Sequence, residues 1–395
     1  MSDLQDVLAR IDAAGEYLAS HATEADQLGR LPDETVAKLK EIGIIQMGQP
    51  KEFGGMEAHP ADFFEAVIRL GRYSPPAGWV CGVVGIHPYE IATGDHKLQE
   101  EIWSADPQAW TCSPYAPMGV GRKVEGGYIL NGKWSFSTGT HHSTHAILGG
   151  FVGGDDGQPV MPPVVKHFII PRSDWTIIED SWDVVGLRGS GSKDITVSGA
   201  FVPDYRVHDH DDIVDGVYAR KNQPGNPAYG LSWGMLFGGA IAAATLGIAS
   251  GAVNQAVEYT RNRILSKTGT KATLNPHHLV AIGEATADVE ASIVHFLSDT
   301  RARYDSFVAN GELSVVERLE SRRNHVRAVR RAVDAVDRLF NVSGGTALQL
   351  ARPQQRFWRD THAGMGHLCN IAEQVYENYG RGIFGEPVDP VAAVY

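Results

Sequence analysis

The chain has 395 residues, 43% hydrophobic and 21% charged, with a formal net charge of −12. That length buries two or three packed layers, and the acidic balance excludes a nucleic-acid partner, which needs a basic face. No apolar run reads as a bilayer span and Met1-Ser2-Asp3-Leu4 carries no basic leader, so a cytoplasmic protein with no membrane partner is expected.

The first hundred residues pattern as helices. Leu4, Val7, Leu8, Ile11 and Ala14 recur at three- and four-residue steps. A second helix starts at Pro32-Asp33-Glu34 and ends at Gly43. Ala61 to Leu70 forms a third, and Gly78 to Gly94, without a charge until Glu90, reads as a helix buried on all sides. From Trp110 the pattern changes. Tyr128 to Leu130, Trp134 to Phe136, His145 to Val152, Lys166 to Ile170 and Asp194 to Val202 are short, β-branched or aromatic, and separated by turn residues. They predict a compact antiparallel β-domain, followed by a connecting loop from Asp204 to Tyr229. Met235 to Leu265, Pro276 to Asn310, Ser314 to Val342 and Pro353 to Tyr379 then read as four long helices of an antiparallel bundle. The predicted class is mostly α with a central β-domain, with boundaries at 1–109, 110–229 and 230–395.

Few motifs carry chemistry on pattern alone. Gly186-Leu187-Arg188-Gly189-Ser190-Gly191-Ser192 lacks GxGxxG spacing, a following helix and a P-loop lysine, so a tight turn between strands is the favoured reading. The 16 histidines include the adjacent pairs His141-His142 and His277-His278, with His208 and His210 in a polar stretch. No HExxH or Cys/His spacing appears, and no metal site is expected. Cys81, Cys112 and Cys369 are read as small buried residues. Arg322, Arg323, Arg327, Arg330 and Arg331 are read as a solvated basic stripe. In Arg359 to His367, Gly364 and Gly366 interrupt a helical pattern, which signals either close approach of a ligand or backbone, or a loop between bundle helices.

Taken together, the chain resembles the acyl-CoA dehydrogenase superfamily over almost its whole length. Trp182 to Ser192, followed by Phe201-Val202-Pro203, is similar to that superfamily's middle-domain signature. Leu31 to Thr35, Gly78-Trp79-Val80, Ser113 to Gly119, Ser343 to Leu348 and Gln355 to Gly364 resemble, within it, the oxygenase subunits of two-component flavin-dependent monooxygenases. Those that hydroxylate a phenolic secosteroid (3-hydroxy-9,10-secoandrostatrienedione) are nearer, and the p-hydroxyphenylacetate hydroxylases more distant. The resemblance implies an N-terminal helical domain, a middle antiparallel barrel or sandwich, and a C-terminal four-helix bundle. It also implies ortho-hydroxylation of a phenolic or related aromatic substrate through a flavin C4a-hydroperoxide. FMNH2 or FADH2 would diffuse in from a separate NAD(P)H-dependent flavin reductase, molecular oxygen would be the co-substrate, and the assembly would be a homotetramer.

Carried over residue by residue, the resemblance places His367, Thr138, His87 and Ser113 in catalysis. His367 would act as base on the phenol, its ordinary pKa near 6.5 suiting neutral pH. Thr138, where close relatives carry Ser, would hydrogen-bond flavin N5. Trp79, Ser113, Tyr115, Ser137, Thr138, Arg263, Gly345, Thr346 and His367 would contact the flavin, Arg263 through its fork of donors. Plain alternatives stay open: a satisfied buried histidine at His87, a turn residue at Thr138, pairing of Arg263 with Glu258, and core packing at Trp79. The alternative activity is that of an acyl-CoA dehydrogenase-like dehydrogenase or oxidase, in which a carboxylate soon after an Arg-Asp pair takes a proton from a thioester. Here Arg359-Asp360 is followed by Gly366-His367-Leu368-Cys369, and the next acid is Glu373. A flavin carrier without catalysis is the third reading.

Overall fold

The computed structural model describes residues 3–389. Five helices open the chain: α1 (Asp3–Leu28), α2 (Asp33–Ile42), α3 (Pro60–Tyr73), α4 (Pro75–Ile91) and α5 (His96–Trp103). Gly43 ends α2 in the left-handed conformation. The apolar stretch becomes α4, with every one of its residues buried. It packs against α3, α8 (Trp233–Arg261) and α1.

The central sheet has β1 (Thr111–Cys112), β2 (Gly119–Val124), β3 (Gly127–Ser137), β4 (His145–Gly153), β5 (Val165–Pro171), β6 (Thr176–Ile178), β7 (Lys193–Pro203) and β8 (Val207–Asp209). Its order is β6-β7-β3-β2-β4-β5-β8, with β1 added beside β4. The expectation of a purely antiparallel domain needs correction, because β4 pairs parallel with both β1 and β2. The sheet has its own core around Trp134, Phe168, Leu148 and Ile195. Pairing of β3 with β7 slips between Trp134 and Ser137. There Phe136 takes a positive φ of 66° and stands 70% exposed. A bulge of this kind re-aims the residues after it, here Ser137 and Thr138.

The expected loop 204–229 contains two short helices, α6 (His210–Val214) and α7 (Val217–Asn222). It is pinned over the end of α4. Asn222 donates to the carbonyl of Thr93 and Gln223 to that of Ala92. The bundle is α8, α9 (Pro276–Asn310), α10 (Val315–Ser343), α11 (Pro353–Met365) and α12 (Ala372–Ile383). Ser314 and Glu317 form a capping box at the start of α10. The predicted fourth helix is broken into α11 and α12, and His367 sits in the break. By length and composition α8 could cross a membrane, contrary to the sequence reading, but it is almost wholly buried among the other helices.

Candidate active site between the buried helix, the sheet and the bundle

α4 is the spine of the site, and successive turns of it meet different partners. At its first turns Trp79 stands edge-on to His367, with ring centres 5.9 Å apart. Phe237 of α8 lies 6.0 Å from the same imidazole. The chain reaches this point because α11 and α8 approach closely at Gly364. A Cβ there would lie 2.6 Å from Thr245 Oγ1 and 3.2 Å from the Trp79 ring. Of the two readings of the Arg359 to His367 segment, close backbone approach describes Gly364 and a break between helices describes Gly366 onward.

His367 is half-buried, and its Nδ1 accepts from the Cys369 amide at 3.2 Å. Desolvation, with a smaller contribution from the Arg322 cation, lowers its pKa to about 4. This departs from the value near 6.5 expected from sequence: the imidazole is uncharged throughout the neutral range. Arg322 also corrects the reading of the basic stripe as a solvated face. It is 1% exposed and donates to the Cys369 carbonyl at 2.7 Å. Arg330 likewise turns inward, to the carbonyl of Asn370.

Two turns further along α4, His87 is fully buried. Its Nδ1 lies 2.5 Å from the Thr111 carbonyl oxygen and its Nε2 2.5 Å from Ser113 Oγ. A carbonyl only accepts, so Nδ1 carries the proton. Burial lowers the pKa of His87 to about 4, so Nε2 is bare and accepts from Ser113. With its own proton committed, Ser113 offers a ligand only lone pairs. The satisfied-histidine alternative therefore holds for His87, and the same bonds give Ser113 a fixed polarity.

One turn beyond, Glu90 is 1% exposed and accepts from Tyr115 Oη at 2.7 Å, His167 Nδ1 at 2.7 Å and His208 Nδ1 at 3.1 Å. Burial pushes its pKa up, but the charge of His167 and the bonds from both histidines outweigh this and hold the carboxyl well below its ordinary value. Tyr115 thus presents its ring, not its hydroxyl, toward Trp233 and Phe237 at 5.6 and 5.2 Å. His208, read as part of a polar loop, is buried here instead.

Across α4, Gly139 packs on Val80 and Val84 and brings Thr138 to the same helix. Thr138 occupies a turn, as its plain alternative has it, yet it is 5% exposed and its Oγ1 lies 2.8 Å from Ser192 Oγ. Ser137, the last residue of β3, is fully buried beside Cys112 of the sheet core, whose thiol pKa it lowers against the effect of burial. The Leu187 to Ser192 turn is clamped from the bundle, where Asp360 accepts from the Leu187 amide at 2.6 Å.

Arg263, Gly345 and Thr346 are not brought to this place within one chain. Arg263 lies just past the end of α8, roughly 24 Å along the helix from Thr245 at 1.5 Å per residue. With Thr346, Arg352 and Tyr259 it lines a separate surface cavity of about 450 Å³. Its Nη1 donates to the Val342 carbonyl at 3.0 Å, and its guanidinium lies 5.2 Å from the Tyr259 ring centre. Glu258 pairs instead with Arg261 at 3.5 Å. Gly344 beside it has a φ of 69°, which L side chains rarely adopt, and a Cβ there would also lie 2.7 Å from Arg263 Nη2.

A flavin needs an apolar slot with hydrogen-bonding edges, and cations for its phosphate. The residues fit both needs, in two places. Trp79, Phe237 and the Tyr115 ring offer apolar surfaces, with His367 against the first two and the His87–Ser113 pair beside the third, and Arg263 with Arg352 would supply the cations. Among the described residues, the carboxylate that a thioester dehydrogenase requires has no counterpart beside His367. Glu373 is exposed, and Glu258, the single acid of α8, is far along that helix.

Sequence reasoning missed Glu90 with its histidines, and Ser190 and Ser192. The signal for Glu90 was present, since a lone acid in an otherwise apolar buried helix demands partners. The serines lay hidden in a motif read only for its glycines.

Profiles of the acyl-CoA dehydrogenase N-terminal and C-terminal domains match residues 8–102 and 239–370. A pigment production hydroxylase of Rhodococcus erythropolis is 44% identical, over 98% of this chain and 99% of its own. The flavin-dependent monooxygenase oxygenase subunit HsaA of Mycobacterium tuberculosis is 39% identical, over 98% and 97%. The crystal structure of the 3-HSA hydroxylase from Rhodococcus sp. RHA1 superposes with a TM-score of 0.91 at 37% identity, covering 98% of each chain.

Proposed function

The chain belongs to the oxygenase subunits of flavin-dependent monooxygenases built on the acyl-CoA dehydrogenase fold, and on that premise we propose that it hydroxylates a phenolic aromatic ring ortho to its hydroxyl group. It uses FMNH2 or FADH2 made by a separate NAD(P)H-dependent reductase in the cytoplasm, together with molecular oxygen. The bound flavin supplies the electrons that activate oxygen for transfer of one atom to the ring.

The protein's part is to bind, orient and keep the site dry. The observation that carries the reading is the uncharged His367 between Trp79 and Phe237. With Nδ1 taken by the Cys369 amide, the neutral ring keeps its proton on Nε2, so an aromatic hydroxyl placed there meets a donor on a ring-lined wall. Full transfer of a phenol proton, pKa near 10, to an imidazole near 4 costs roughly 8 kcal/mol. His367 therefore holds the hydroxyl by donating from Nε2 to its oxygen, a bond that strengthens as negative charge builds there, and does not act as the base on the phenol. Ser113, fixed as an acceptor by His87, favours a ligand with an O–H or N–H over one without. Thr138 lies at the flavin edge. Arg263 and Thr346 hold the phosphate end of a flavin whose ring sits in another copy of the chain. Their distance from His367 within one chain is what supports a site shared between copies; the homotetramer is what the resemblance adds.

Mixing enzyme, chemically reduced flavin and ¹⁸O-labelled oxygen with a panel of phenols tests the proposal. One labelled oxygen ortho to the phenol hydroxyl is the expected product. Reduction of an electron acceptor by a thioester, with no reductase and no labelled product, would overturn it in favour of the dehydrogenase alternative.

A further inference from the structure

Thr138 is the end of a chain of three hydroxyls. Its Oγ1 lies 2.8 Å from Ser192 Oγ, which lies 2.7 Å from Ser190 Oγ. The three residues are 5%, 2% and 1% exposed. Two segments distant in sequence build the chain, the turn after β3 and the turn before β7. The Gly139 amide locks them together by donating to the Ser190 carbonyl at 3.1 Å.

A hydroxyl has one proton to give and two lone pairs. Ser192 can therefore donate to only one neighbour. If it donates to Ser190, Thr138 donates to Ser192 and turns a lone pair outward. If it donates to Thr138, the proton of Thr138 is free to point outward. The chain reverses as a unit, without moving a heavy atom. Ser113 has no such freedom, because the Thr111 carbonyl fixes the tautomer of His87 and hence the direction of the Ser113 proton.

A reduced flavin carries a proton on N5 and calls for an acceptor there, whereas the oxidised ring has a bare N5 and calls for a donor. We infer that Ser192, backed by Ser190, is a positioning residue that lets Thr138 meet the two redox states of the flavin with opposite polarity. The inference rests on the reading of Thr138 as the flavin-edge hydroxyl. Its consequence is asymmetric. Without Ser192, Thr138 can still donate to the oxidised ring and remain satisfied. Against the reduced ring its own proton would be buried with no acceptor, the costly case for a hydrogen-bonding group.

The test is the dissociation constant for each redox state, measured by fluorescence titration with oxidised flavin and by anaerobic titration with reduced flavin. Ser192→Ala is expected to weaken the reduced form about tenfold or more and the oxidised form less than threefold. Thr138→Val is expected to weaken both. Ser192→Cys, closer to serine in size and a poor acceptor, is expected to shift the ratio in the same direction by less, and it carries the test if the alanine variant does not fold. Equal changes in both constants, or none, in the Ser192 variants while Thr138→Val still weakens binding would overturn the inference and leave the proposed function standing. No change in either constant with Thr138→Val would remove the placement of Thr138 at the flavin, and the inference with it.

Discussion

His87 and Glu90 sit three residues apart on α4, both shut off from solvent, yet one is neutral and the other charged. His87 faces a carbonyl and a hydroxyl, neither of which can offset a cation, and burial keeps it neutral. Glu90 faces one hydroxyl and two imidazoles, and stays ionised. Burial alone does not set a charge; what decides is whether the second partner can compensate it. The neutral end borders the proposed site, through Ser113. The charged end is structural, tying α4 to β5, β8 and the covering segment.

The sharpest way to break this comparison is to remove the charge. Glu90→Ala leaves three buried donors without their acceptor and should cost about 3–5 kcal/mol of unfolding free energy, read from denaturant titration. A loss below about 1 kcal/mol would show that Glu90 is not the group that organises these histidines. The neutral end is tested by activity instead. His367→Ala should lower the turnover of coupled hydroxylation about a hundred- to a thousandfold, with stability little changed. In the wild type, turnover should show no acidic limb near pH 6.5, because His367 protonates only near 4. A limb centred at 6.5 that vanishes in the variant would mean the imidazole is far better solvated than its setting between Trp79 and Phe237 requires.

Acid separates the two ends by pH window. The pKa of His87 is lowered from 6.5 to about 4 in the folded state. Its contribution is complete above 6.5 and is lost as pH falls toward 4, where the unfolded chain binds the proton and the folded one does not. Glu90, also lowered, contributes above its ordinary value of 4.5 and loses that only below it. Between pH 7 and 4 the stability advantage of wild type over His87→Gln should therefore shrink by about 3 kcal/mol. The carboxyl of Glu90 itself adds nothing to the corresponding subtraction for Glu90→Ala until pH falls below 4.5. Identical profiles would erase the distinction.

How much of this was legible in the sequence follows from the range of the forces involved. The helices and the main strands announce themselves by local periodicity, as Val7, Leu8, Ile11 or the run His145 to Val152 do. The parallel pairings of β4 do not, because nothing in β1 or β2 encodes which neighbour it meets. The break at Gly366 was readable as a weakness but not as a position, since it depends on α8 offering Thr245 and Phe237 to the other side. Single site residues came through resemblance, and their charge states did not. A histidine's ordinary pKa is a property of the residue, whereas the lowered value at 367 belongs to its surroundings. Likewise nothing local marked His208 as a partner of Glu90, 118 positions earlier.

The smallest expected effect probes the fixed polarity of Ser113. Ser113→Ala removes the acceptor hydroxyl but uncovers another acceptor behind it, the bare Nε2 of His87 that had received the serine proton at 2.5 Å. A phenolic ligand then loses one well-placed hydrogen bond and regains a poorer one, a difference of about 1 kcal/mol or fivefold in KM. Stability should change by less, because the neutral His87 still donates through Nδ1 to Thr111. His87→Gln differs in kind: it releases the proton of Ser113, which can then donate outward, so the preference for ligands that carry an O–H should weaken toward methyl ethers of the same phenols. Measuring binding of a phenol and its methyl ether to both variants separates the two effects. If Ser113→Ala instead abolished discrimination while His87→Gln preserved it, the polarity of this hydroxyl would be set by something other than the imidazole on α4.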